Sequence, residues 1–284
     1  MGEIMILGVH VSAAGNIYDS LERAYGLGCN TMQIFSRNPQ RWRDNFLGEH
    51  DFDEFRKAKQ KFKINPVFIH IPYLINLASP EPGLYRASIR AYIEDIVEAD
   101  KLGADFIVTH MGSHKKTSES LGIKRLTAAL NKIALATKDS KVGILLENTS
   151  GSGSWLGYDF THHKRVFDNL KDRQRFGICL DTAHAFSAGY DISNKPGLDA
   201  MLGEIDRLVG LGLIRLIHLN DSASRLGQHF DKHQHIGKGY IGIPGMKNII
   251  NHKGLKDKPF ILETPKEYQS SDIDNLETVR KLRK

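Results

Sequence analysis

Eight short apolar runs divide this chain, and seven of them end on a residue that titrates or ligates. They close as LGVH, VFIH, FIVTH, GILLE, GICLD, LIH and FILE, and only the second, ending QIF, does not. The runs read as strands at Ile6–Val11, Thr31–Phe35, Val67–His70, Phe106–His110, Gly143–Glu147, Gly177–Asp181, Leu216–Leu219 and Phe260–Glu263. Helical periodicity lies between them, at Ile17–Leu27, Tyr85–Leu102, Gly122–Thr137, Thr161–Leu170 and Gly197–Val209. Strands alternating with helices predict a parallel sheet. Eight such units in 284 residues predict an α/β fold of one kind, a single (β/α)₈ TIM barrel. No linker or low-complexity tract divides the chain, so residues 1–284 read as one domain. In such a barrel the C-terminal strand ends converge on one face, where active sites form.

Gathering so many titratable groups in one place is costly unless something satisfies them, and metal ions do so best. The candidates are His70, His110, Glu147, Asp181, His184, His218, Asp231, His233 and Glu263. Five imidazoles and four carboxylates exceed the needs of one tetrahedral ion and suit about three ions with a shared carboxylate. A histidine-rich set favours zinc over magnesium, and manganese or iron remains compatible with the same donors. His10 ends the first strand and reads as a group that orients a ligand or a water. His235 competes with His233, which is preferred. His50, His162, His163 and His252 stand in polar, helix-like or loop context and read as solvated, whereas His114 and His229 lie in loops on the functional face.

Composition narrows the setting. Cys29 and Cys179 each sit in an apolar stretch and read as buried free thiols, consistent with a reducing cytosol. The N-terminus has no basic n-region, so no secretory signal is expected, and no apolar run approaches the length of a membrane span. A cytoplasmic monomer is the expectation. The formal charge of +6 suits a polyanionic partner.

The segments GVHVSAAG (8–15), HIPYLINLA (70–78), HMGSH (110–114), LENTSGSGSWLG (146–157), LDTAHAFSAGYD (180–191), HLNDS (218–222), DKHQHIGKG (231–239) and ILET (261–264) resemble the endonuclease IV family of apurinic/apyrimidinic endonucleases. The matches run in order from the first strand to the last. The resemblance implies a zinc-dependent DNA-repair enzyme that cleaves 5′ to abasic sites in double-stranded DNA, leaving a 3′-hydroxyl and a 5′-deoxyribose phosphate, and that trims blocked 3′ ends. It implies three zinc ions: one on His70 and His110, a second on Asp181, His218 and Glu263, and a third on His184, Asp231 and His233. Glu147 would bridge the first two and serve as the catalytic carboxylate. Tyr73 and Leu74, after the third strand, read as a wedge into the DNA stack. In SRNPQRW (36–42), Gln40 or Arg41 takes the place of an arginine that some members insert into DNA. The chain departs from the family at Met111, where proline is frequent. Two other readings compete. A sugar isomerase on a similar barrel would hold fewer ions with fewer histidines, and a non-catalytic zinc-dependent DNA-binding protein would carry an inactivating change that this sequence lacks.

Overall fold

A computed structural model describes residues 5–35, 37–38, 42, 47–268 and 270–284. Its strands are β1 (Leu7–Val9), β2 (Met32–Phe35), β3 (Val67–His70), β4 (Phe106–His110), β5 (Gly143–Glu147), β6 (Phe176–Asp181), β7 (Ile214–His218), β8 (Asp221–Ser222), β9 (His233–Gln234) and β10 (Phe260–Leu262). All but β8 and β9 form one parallel sheet in the order β1-β10-β7-β6-β5-β4-β3-β2. A parallel bridge between His10 and Gln33 joins its two edges and closes the barrel. β8 and β9 pair antiparallel above it. The expected strands fall on the eight barrel strands with ends shifted by a residue or two. β1 is shorter than predicted, and Gly8 within it passes close to the residue ahead of β2: a Cβ there would lie 1.9 Å from the Thr31 carbonyl oxygen.

The helices among the described residues are α1 (Asp19–Gly26), α2 (Glu49–Phe62), α3 (Pro82–Leu102), α4 (Glu119–Ala136), α5 (Phe160–Phe167), α6 (Thr182–Ala188), α7 (Lys195–Leu208), α8 (Gly242–Asn251) and α9 (Ser271–Leu282). The five expected helices are α1, α3, α4, α5 and α7. Four begin earlier than their apolar periodicity, α3, α4, α5 and α7, and capping side chains stand ahead of the last three: Asp159 accepts from the Thr161 amide ahead of α5. Ser118 accepts from the Leu121 amide ahead of α4, and Asn194 from the Gly197 amide ahead of α7. The sequence reading passed over α2, whose highly charged sequence buries only Phe52 and Phe55 and so shows too thin an apolar stripe. Among the described residues no helix is long and apolar enough to cross a membrane.

Strand alternation fixes what each side chain meets. Phe68, Val108, Leu145, Cys179, Leu216 and Ile261 form a closed apolar plug inside the barrel, while their strand neighbours pack outward against the helices. Two residues further along these six strands stand His70, His110, Glu147, Asp181, His218 and Glu263. The period of two therefore lays the donors directly over the plug. Each fully buried aliphatic or aromatic side chain there contributes about 1.5–3 kcal/mol, so the floor of the site is also part of what holds the barrel shut.

Candidate metal centre

Glu147 ends β5 fully buried and stands at the centre of the mouth. Its Oε2 lies 3.1 Å from His70 Nε2 and 3.5 Å from His110 Nε2. Its Oε1 lies 3.1 Å from His218 Nδ1 and 3.3 Å from His184 Nδ1. Three overlapping groups surround it, each with donor atoms within 4.8 Å of one another: His70, His110 and Glu147; Glu147, Asp181, His218 and Glu263; and Asp181, His184 and His233. Asp231 completes the last, 3.2 Å from His184 Nε2 and 3.5 Å from His233 Nε2. All nine sequence-predicted donors thus meet at one face. Asp181 also reaches the third group, with Oδ2 3.6 Å from His233 Nε2.

Local structure explains the sharing. Asp181 caps α6, its Oδ1 accepting from the His184 amide at 2.7 Å, so DTAH brings a carboxylate and an imidazole to one side of a helix start. Asn148 clamps the Asp181 backbone from β5. Asn220 donates to Asp181 Oδ2 at 2.8 Å and accepts from the Glu263 amide at 2.8 Å.

The ring nitrogens test whether these residues suit cations. His70 Nδ1 donates to the Ile71 carbonyl at 2.7 Å, His184 Nδ1 to the Asn148 carbonyl at 2.9 Å, and His233 Nδ1 to the Glu263 carbonyl at 3.0 Å. A carbonyl oxygen only accepts, so in a neutral ring the other nitrogen turns a lone pair outward. Each of those lone pairs faces a carboxylate, and His233 Nε2 is buried without a hydrogen-bond partner. Lone pair against carboxylate repels unless a cation stands between them. Anchoring one ring nitrogen on a carbonyl and freeing the other is how metal-ligating histidines are held. The residues fit divalent cations.

Charge points the same way. Burial favours neutral His184, yet Asp181 and Asp231 outweigh it and raise the imidazole well above its ordinary range. His218 is raised likewise against burial, by the Glu263 and Glu147 carboxylates. Burial would raise the Glu147 carboxyl, but His110 and His218 hold it well below the usual range. Asp231 is brought down to about 2 against burial by His184 and His233. Left to itself, the cluster draws positive charge from protons. Cys179 lies close beneath, but burial pushes its thiol up to about 12, so it offers no thiolate.

Other expectations fare unequally. His10 touches a donor, its Nδ1 3.3 Å from Glu263 Oε1, and burial lowers its pKa. His235 turns away: Asn275 donates to its Nδ1 at 2.9 Å and its Nε2 faces Glu267. His233 alone of the two reaches the cluster. His162 and His163 are not solvated, in correction of the sequence reading. Both lie on the buried face of α5, where His162 Nδ1 accepts from the Gly157 amide at 3.1 Å and burial drives His163 down to about 3. Polar neighbours in sequence had hidden that face. His252 is half-buried beside Asp199, not solvated, whereas His50 is exposed. Tyr73 is 58% exposed and lies over His110, rings 6.0 Å apart and 24° from parallel. Leu74 is half-buried and lines a small pocket with Trp42, Pro72 and Ile75. Gln40 and Arg41 lie outside the described residues. Lys115, Lys116, Arg225, Lys232 and Lys238 are exposed, in the loops that follow β4, β8 and β9.

The sequence reading missed Gln33, Asn148, Asn220 and Asp221. Asp221 follows the HLN of β7, and its buried carboxylate accepts from the amides of Ser222, Gly237, Gly239, Ile241 and Gly242. It folds the 237–242 loop against β8. An Asp with glycines at set distances downstream was the available signal.

Fold and site together define a barrel of the xylose isomerase-like class whose mouth gathers histidine and carboxylate groups able to hold metal. The family described as xylose isomerase-like TIM barrel matches residues 21–283. The probable endonuclease 4 of Halothermothrix orenii is 41% identical over 280 residues, 99% of this chain and 100% of its own. The crystal structure of endonuclease IV from Thermus thermophilus matches with a TM-score of 0.86 at 33% identity, over 97% of this chain and 98% of that one. A D-tagatose 3-epimerase-like protein, at 17% identity and a TM-score of 0.73, over 97% of this chain and 96% of that one, shares the fold. The chain belongs to the endonuclease 4 family.

Proposed function

We propose that this protein is a zinc-dependent DNA-repair endonuclease. It hydrolyses the phosphodiester 5′ to abasic sites, leaving a 3′-hydroxyl and a 5′-deoxyribose phosphate, and it trims blocked 3′ ends. The observation that carries this reading is the set of pinned imidazoles whose free nitrogens converge on Glu147, Asp181, Asp231 and Glu263. Family membership supports DNA as the substrate.

Three zinc ions fit the three donor groups, with manganese or iron as substitutes. Bound there, they would supply Lewis acidity, a nucleophile at neutral pH and neutralisation of phosphate charge. Glu147 shares its two oxygens between donor groups and so sets their spacing. The anchored histidines hold that arrangement before substrate arrives. A lesion reaches the barrel mouth by leaving the duplex, which is least costly where no base stacks or pairs, so abasic sites are favoured. Tyr73, exposed beside His110, would fill the gap, a reading its exposure supports.

The test is cleavage of a duplex oligonucleotide with one internal abasic site by protein of known metal content. Incision 5′ to the lesion with close to three zinc ions per chain is expected. Epimerisation of ketoses without incision would replace this reading with a sugar enzyme. Full activity at one ion per chain would end the three-ion assignment.

A further inference from the structure

β2 is the one barrel strand without a titratable residue at its end, yet it contributes to the site through a buried amide. Gln33 is fully buried, bridged to His10, one layer from the donors. Its Nε2 donates to Glu263 Oε1 at 2.6 Å and to His10 Nδ1 at 3.0 Å. Its Oε1 lies 2.8 Å from His218 Nε2. All three polar positions of the amide that face the site are used.

The orientation of the amide follows by elimination. The Glu263 carboxylate only accepts, so the NH₂ must face it and the carbonyl must face His218. That carbonyl only accepts, so His218 Nε2 must carry the proton. In the neutral ring, the form that ligates a cation, His218 Nδ1 then points a lone pair between Glu147 Oε1 at 3.1 Å and Glu263 Oε2 at 3.2 Å. His70, His184 and His233 are each anchored through Nδ1 by a carbonyl. His218 is reversed, and a side chain stands where the others use backbone.

We infer that Gln33 is a positioning residue, fixing the tautomer of His218 and the direction of Glu263 so that the Asp181–His218–Glu263 group is shaped for its cation in advance. The inference rests on the metal-centre reading above. Outer partners of this kind are worth about 10- to 100-fold in metal affinity. The effect belongs to one of the three groups, because no contact of Gln33 reaches His70, His110, His184 or His233 among the bonds above.

The test is zinc binding by the apoprotein, titrated against a chromogenic chelator, for wild type, Gln33→Met and Gln33→Glu. Met keeps the length of the side chain and removes every hydrogen bond. Glu keeps an acceptor for His218 but sets a carboxylate against Glu263. In Gln33→Met one zinc should weaken about 10- to 100-fold while the other two bind as in wild type, and the apoprotein should melt as before. Gln33→Glu should weaken the same zinc by less. Wild-type affinity for every ion in Gln33→Met, or equal weakening of all three, would overturn the inference. If Gln33→Met does not fold, unchanged zinc binding by Gln33→Glu overturns it instead. Absence of tight zinc sites in the wild type would remove the metal-centre reading itself, a result separable from either.

Discussion

Replacing Glu147 by Gln should abolish most activity without unfolding the protein. The amide is the same shape, and the carboxylate's partners are the imidazoles of His70, His110, His184 and His218, so no backbone anchor is lost. What changes is charge. The donors around Glu147 lie within 4.8 Å of one another, so any cation among them sits close to its oxygens. Opposite unit charges ~4 Å apart are worth about 4 kcal/mol at an effective dielectric of about 20. At 1.36 kcal/mol per tenfold, that is roughly a thousandfold. The expected result is a loss of about that size in abasic-site incision, with weakened retention of two of the zinc ions and an apoprotein that melts close to wild type. The assays are single-turnover cleavage of an abasic duplex, elemental analysis after gel filtration, and thermal unfolding of the chelated protein. Turnover within tenfold of wild type at full metal content would refute a central role for the Glu147 charge.

Three further outcomes are expected. A Tyr73→Ala, Leu74→Ala double replacement should lose more incision at an internal abasic site than trimming at a nick, where the terminus is already frayed; equal losses would mean that the two residues support the site and are not a wedge. Binding to duplex DNA should fall steeply with salt, measured by fluorescence anisotropy between low and moderate salt, and Lys115, Lys116, Arg225, Lys232 and Lys238 replaced singly by Ala should each lower the slope by about one. His163 titrates near 3 when folded against 6.5 when exposed, so its contribution is present above pH 6.5 and is lost as pH falls towards 3. The loss is about 2 kcal/mol by pH 5, and His163→Leu should flatten the denaturation midpoint between pH 7 and pH 5 relative to wild type.

The barrel was legible because its strands are short, apolar and regularly spaced, and six of the nine donors because they close those strands; His184, Asp231 and His233 lie beyond them in the DTAH and DKH segments. α2 was not, since Phe52 and Phe55 are too few to show a period among its charges. His162 and His163 were misread for a related reason: a short helix with polar letters gives no sign of which face meets the sheet. Gln33 escaped because attention went to titratable strand ends, whereas an amide two residues before the end of β2 shares the layer of His10. Asn148 and Asn220 stood beside recognised donors, but their work is to hold backbone and carboxylate across neighbouring strands, and only the paired register shows that.

The apolar plug and the donor layer occupy alternate positions of the same strands, two residues apart. Inserting a single residue inside β5 ahead of Leu146, for instance, would swing Glu147 to the helix side and bring Leu146 over the mouth, costing the floor and the chemistry at once. Length changes are therefore confined to the loops that leave the strands. A point replacement in the donor layer leaves the plug beneath untouched. Such a barrel can change its reaction by exchanging single residues and its substrate by remodelling loops, while the strands themselves keep a fixed count.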